Sequence, residues 1–283
     1  MIEKYYSGVI EQIYNRIGKE TRNIVMANYS NDFSIENLEV IRRYQSNEDN
    51  VFFAYSEFSY NTLVGAYEPF LDIICNMHRR FIGGSFDDFQ KECGVYYLHR
   101  QVLNSYYETG ECFREETVLL NEVAYEQRRM TMAIADMLKK LSEVKPLMIV
   151  INRFQMASKS SIETIKYLID NPCANIGIVL GVNAIVKGTD STVEVWDRIV
   201  ESLEDRSAIY YIGSAGPLKN NVKTKNDDEL YITMNFEQSI QEASNIMEFL
   251  DFEQARRGCR IIEHKLKFED AWIDEKSLRR FYM

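Results

Sequence analysis

Five short, almost uninterrupted apolar runs constrain the fold of this chain more than any other feature. They are Asn23–Met26 (NIVM), Val51–Tyr55 (VFFAY), Leu147–Ile151 (LMIVI), Ile176–Val182 (IGIVLGV) and Ala208–Ile212 (AIYYI). A strand with one face in water alternates apolar and polar residues, whereas a strand covered on both faces has no such need. Runs of this kind predict a parallel sheet sandwiched between helices, and helical patterns separate them. Ile35, Leu38 and Ile41 recur at three-residue spacing within 35–44. Ser160-x-x-Glu163 and Ser191-x-x-Glu194 read as capping boxes that open helices. Val123–Leu141 is rich in good helix formers, and Pro146 precedes the third run. The alternation predicts an α/β fold. With only 4 Pro and 13 Gly in 283 residues, the composition argues against a turn-rich β-sandwich and for long helices.

From Glu57 to Leu141 no strong strand occurs. Phe70, Ile73, Ile74 and Met77 stand at helical spacing after Pro69, so this stretch reads as a helical insertion between the second and third strands. Lys219–Glu229 (KNNVKTKNDDE) is a polar break, and amphipathic helices are expected beyond it at Phe236–Phe249 and Phe252–Lys265. A further element begins at Glu275 and runs into Phe281-Tyr282-Met283, so the chain is expected to be part of a longer protein. The organisation read from the sequence is an α/β domain over 1–218, a linker over 219–229 and an α-helical segment over 230–283.

The charge balance narrows the function. With 33 Lys+Arg against 43 Asp+Glu the net charge is −10, and the cations are dispersed, so a nucleic-acid partner is not expected. The five cysteines include no C-x-x-C pair, and His78, His99 and His264 share no zinc-type spacing with other ligands, so no metal is expected. No Ser lies in a G-x-S-x-G elbow, which removes one local signature of nucleophilic hydrolysis. The tyrosine doublets read as partly buried core, and Glu115-Glu116 and Asp227–Glu229 as solvated surface. The apolar runs fall far short of the ~20 residues that span a bilayer, and the charged N-terminus has no signal-peptide core. A cytoplasmic location without a membrane partner is expected.

Strand, loop, helix and a later apolar strand form the layout of a P-loop nucleotidase. Its loop, G-x-x-x-x-G-K-[ST], wraps backbone N–H groups around phosphates, while the Lys offsets charge and the hydroxyl holds Mg²⁺. Laid on Ala27–Ser34 (ANYSNDFS), the pattern puts Ala27 at the first Gly, Asp32 at the second and Phe33 at the Lys; only Ser34 survives. Asn31, Asp32 and Ser34 read equally as a helix N-cap cluster.

Met148–Ala157 (MIVINRFQMA) resembles the Walker B stretch of the large AAA-like and STAND signalling ATPases of bacteria. Gln155, Ala157 and the following Ser160-Ser161 match that stretch, whereas Asn152 and Arg153 replace its two acids, Met156 its Trp and Ser158 its last Asp. The helix over Ile162–Ile169 follows, then Ile176–Asn183 as a fourth strand with Asn183 at a sensor position. Ser56-Glu57-Phe58 and Tyr67-Glu68-Pro69-Phe70 resemble the segment that opens the family's helical insertion. The resemblance covers residues 20–215 and implies a P-loop NTPase-like sheet in the order 5-1-4-3-2. It also implies a vestigial nucleotide site made of Ala27, Asn31, Asp32, Phe33, Ser34, Asn152, Arg153 and Asn183.

The departures decide the chemistry. Without the Lys nothing in the loop offsets phosphate charge, and a guanidinium at position 153 cannot act as a general base. Arg153 reads either as a strand-end ion pair or as a cation beside a Mg²⁺-independent anion site. The expected function is a catalytically inactive, ATPase-like regulatory or scaffolding module of a signal-transduction protein, with no obligatory cofactor. The alternative is an ATP-binding switch or slow ATPase that uses Ser34 and the backbone amides of 27–33. Ala243, Ala255 and Asp251-Phe252-Glu253-Gln254-Ala255 resemble the start of a tetratricopeptide-like array. The resemblance implies protein partners or a downstream output domain, such as a diguanylate cyclase or a DNA-binding module.

Overall fold

The computed structural model describes residues 2–29, 38–46, 50–59, 64–112, 122–183, 186–187, 193–206, 208–212, 223–224, 236–249, 258–259 and 262. All five apolar runs are strands: β1 (Ile24–Tyr29), β2 (Phe52–Glu57), β3 (Leu147–Asn152), β4 (Ile176–Asn183) and β5 (Ile209–Ile212). They form one all-parallel sheet in the order 2-3-4-1-5. Read from the other edge, this is the expected order. Every residue of β3 and β4 is buried, which is why these two runs show no polar alternation. A separate two-residue pairing joins Val186–Lys187 to Lys223–Thr224, inside the stretch predicted as a linker.

Among the described residues the helices are α1 (Ile2–Arg16), α2 (Glu39–Ser46), α3 (Phe70–Met77), α4 (Phe86–Glu92), α5 (Tyr97–Thr109), α6 (Val123–Val144), α7 (Lys159–Asp170), α8 (Val193–Glu204) and α9 (Phe236–Glu248). A π-helical turn, His78–Ile82, continues α3. The described residues of the insertion carry helices α3–α6 and no strand, as the spacing predicts. None of these helices is long and apolar enough to cross a membrane. Residues 35–37 of the helix expected over 35–44, Ser191 and most of Phe252–Lys265 lie outside the described residues.

The two faces of the sheet are covered differently. On one, α3, α6 and α7 bury Ile74, Ile134, Leu138 and Ile165 against Met26, Ile149, Ile178 and Leu180. On the other, Tyr6, Val9, Ile10 and Ile13 of α1 pack on Val25, Val150 and Val179. Helix α1 is an element the strand-centred reading passed over, although these four residues follow the i, i+3, i+4, i+7 pattern of a helix face. Two glycines of β4 let α1 approach. A Cβ on Gly177 would lie 2.9 Å from Ile13 and Ile17, and one on Gly181 would press on the Tyr6 hydroxyl and lie 2.8 Å from Asn152 Oδ1.

The start of α7 corrects one expectation. Ser158, not Ser160, is the N-cap, accepting from the Ser161 N–H at 3.4 Å. Ser160 sits within the first turn, where its Oγ accepts from the Tyr67 N–H at 3.0 Å, and the Ser161 hydroxyl donates to the Glu68 carbonyl at 2.7 Å. The serine cluster therefore ties α7 to the turn that opens the insertion. Helix α9 joins the same core through Ala243, Ile246 and the adjoining Phe249.

Candidate functional site

Ligands of open parallel sheets bind outside the carboxyl ends of the strands, where the loops diverge. In this chain those ends carry Tyr29, Glu57, Asn152, Asn183 and Ile212. The Tyr29 hydroxyl donates to Asn152 Oδ1 at 2.6 Å. It spans β4, which lies between β1 and β3 in the sheet. Tyr6, from α1, meets Tyr29 edge to face with ring centroids 6.4 Å apart. Tyr6, Tyr29 and Asn152 are all fully buried. Burial, with Tyr29, Tyr55 and Glu57 nearby, pushes the Tyr6 hydroxyl well above the ordinary phenol range, so it stays a neutral O–H. Two aromatic rings and an amide therefore pack together at the carboxyl end of the sheet.

Beside this plug lies an ion pair. Arg153 follows β3 in a left-handed conformation (φ 55°, ψ 38°) that turns the chain sharply out of the strand. Its Nη1 lies 2.8 Å from Glu57 Oε1 and donates to the Phe58 carbonyl at 3.4 Å. Tyr55 donates to the other Glu57 oxygen. The one carboxylate at the end of a sheet strand is thus held by a cation and a phenol. Next in the chain, Gln155 lies in a 3₁₀ turn (Phe154–Met156) and accepts from the Asn183 N–H at 3.3 Å.

Of the residues singled out from the sequence, Asn152, Arg153 and Asn183 come together at this edge. Ala27 is buried within β1, paired with Gly181 and Tyr210, and the strand continues for two residues beyond it. Asn31, Asp32, Phe33 and Ser34 lie outside the described residues. Arg153 forms the strand-end ion pair, one of the two readings open to it. Sequence reasoning missed Tyr6, Tyr29, Glu57 and Gly181. The available signal was Gly181, since a glycine inside an apolar strand marks a close approach. On the opposite face of β1, Asn28 carries a buried Oδ1 without a hydrogen-bond partner among the described residues.

The chemical capacity of this edge follows from its donors. Asn152 contributes no negative charge, and Glu57 is already neutralised by Arg153. Among the described residues no group of three or more His, Cys, Asp or Glu side chains is arranged to hold a metal ion. No protein-family model matches the chain, and no curated protein matches it.

Proposed function

We propose that the chain is a catalytically inactive regulatory or scaffolding module on a P-loop ATPase-like fold, acting in signal transduction through protein contacts. The observation that carries this reading is the buried Tyr29–Asn152 hydrogen bond. It places a phenol against the residue that replaces the first Walker B acid, at the edge where phosphate and Mg²⁺ would otherwise be held. Phosphoryl transfer depends on positioning and electrostatic stabilisation, and an amide beside a committed Arg153–Glu57 pair supplies little of either. The strand order 2-3-4-1-5 supports the same reading.

A nucleotide-binding switch is favoured by one observation, the Oδ1 of Asn28, which has no hydrogen-bond partner among the described residues and which a ligand amino group would satisfy. Thermal shift with ATP, ADP and GTP, with and without Mg²⁺, separates the two readings. A ligand at 100 times its Kd adds about 2.7 kcal/mol of stability, which is several degrees for a chain of this size. The inactive module shows no shift and no phosphate release. A shift without turnover selects the switch, and Mg·ATP hydrolysis lost on Ser34→Ala overturns the proposal.

A further inference from the structure

Helix α9 is seated on the insertion by apolar and polar contacts. Ala243 and Ile246 are buried, and Phe249 meets Tyr67 and Tyr106 edge to face at 5.7 and 6.0 Å. Asn245 accepts from the Cys112 N–H at 3.0 Å and donates to the Gly110 carbonyl at 3.1 Å. Alongside this seat lies a cavity of about 210 Å³ that includes Glu68, Asp72, Tyr106 and Glu242 in its wall, with no Lys, Arg or His among the described residues.

The carboxyl groups converge from separate elements. A Cβ placed on Gly65 would lie 2.6 Å from Glu242 Oε1 and 3.4 Å from Glu68 Oε2, so both carboxyls crowd the same spot. Glu68, from the turn before α3, accepts from the Gly65 N–H at 2.9 Å. Asp72, on α3, accepts from the Tyr106 hydroxyl of α5 at 3.0 Å. Glu242, on α9, has neither a hydrogen-bond donor nor a cation beside it among the described residues. Two ionised carboxylates cannot share so small an uncompensated space without strong repulsion.

We propose that α9 is a proton-dependent latch, seated on the insertion while Glu242 is protonated and released as Glu242 ionises opposite Glu68 and Asp72. Among the described residues the groups that face Glu242 are Glu68 from the turn, Asp72 from α3 and Tyr106 from α5, all of them acids. Burial first, then Glu68 and Asp72, pushes Glu242 up to about 7, and burial also raises Glu68. The sign follows from the direction. A carboxyl raised in the seated state favours seating fully below the ordinary carboxylate value of about 4.3, and that contribution disappears as pH climbs through the raised value. The latch rests on the α9 contacts alone and stands whether or not the chain binds nucleotide.

Hydrogen–deuterium exchange on the full chain tests it, with rates corrected for the intrinsic pH dependence of exchange and β4 peptides as the internal reference. Protection of α9 is expected to fall by up to about 10-fold per pH unit between about pH 5 and about pH 7, while β4 stays constant. Glu242→Gln is expected to abolish the slope and keep α9 protected throughout. Glu68→Gln, which retains an acceptor for the Gly65 N–H, is expected to make the slope shallower and provides the test if Glu242→Gln does not fold. Constant α9 protection across this range in the unsubstituted chain, or the full slope persisting in either variant, overturns the latch.

Discussion

At the carboxyl edge of the sheet, Glu57 faces Arg153 across 2.8 Å and takes a further bond from Tyr55. At the seat of α9, Glu242 faces Glu68 and Asp72 in a cavity whose wall holds no cation among the described residues. Both places bring a glutamate up against ionisable side chains from distant parts of the chain. In the first, the countercharge is built into the fold, so the geometry holds without help from solvent. In the second, the compensating charge is a proton, and the geometry depends on its supply. Rigid and conditional contacts are thus made from the same residue type, and the presence of a partnering cation separates them.

The strongest way to break this contrast is to put an uncompensated carboxylate into the rigid region. Asn152 is fully buried and accepts from Tyr29. Asn152→Asp keeps an acceptor there but buries a charge while Arg153, the next residue, is already paired with Glu57, and about 3 kcal/mol of stability is expected to be lost at neutral pH. The introduced carboxyl is raised in the folded state, so the penalty grows as pH rises through its folded value and vanishes below about 4. Urea denaturation at several pH values measures this, and a penalty independent of pH contradicts it. No ATPase activity is expected to appear, because Arg153 is a guanidinium paired with Glu57 and supplies no general base.

A smaller effect is expected from Gly181→Ala. The added methyl meets the Tyr6 hydroxyl and lies 2.8 Å from Asn152 Oδ1, so the plug must shift, at an expected cost of about 2 kcal/mol. In a Tyr6→Phe background the hydroxyl is gone, and the cost is expected to fall to about 1 kcal/mol. Equal costs in the two backgrounds would show that Tyr6 does not set the constraint.

The five strands were legible because burial on both faces writes itself into local sequence as uninterrupted apolar runs, whereas their order was implied only by the family resemblance, since spacing does not set which strands are neighbours. The N-terminus of α7 was read two residues late. Ser158 and Ser160 are equally good caps in isolation, and the Tyr67 N–H that occupies Ser160 comes from 93 residues away. The plug was illegible for the same reason on a larger scale. Tyr29 and Asn152 are 123 residues apart, and one among 18 tyrosines carries no sign that its hydroxyl will cap a particular strand. Arg153 was half legible: a charged residue at a strand end calls for a partner, but Glu57 is brought beside it only by the β2–β3 pairing. The carboxyl cavity left no local trace, since Glu68 and Glu242 meet only once α9 is seated.

The mildest perturbation separates the conditional region into its own parts. Asn245 is buried and bridges α9 to the end of α5 through the Gly110 carbonyl and the Cys112 N–H. Gly110 is exposed and Cys112 half-buried, so water can replace much of what Asn245→Ala removes, and a loss of about 1 kcal/mol in seating is expected. That corresponds to roughly a 5-fold fall in α9 protection at every pH. The dependence on pH should survive unchanged, because Glu242 still faces Glu68 and Asp72. A uniform fall with the slope intact assigns affinity to Asn245 and proton sensing to Glu242. A slope that disappears with Asn245 would mean that the amide, and not the crowding of acids, positions the group that titrates.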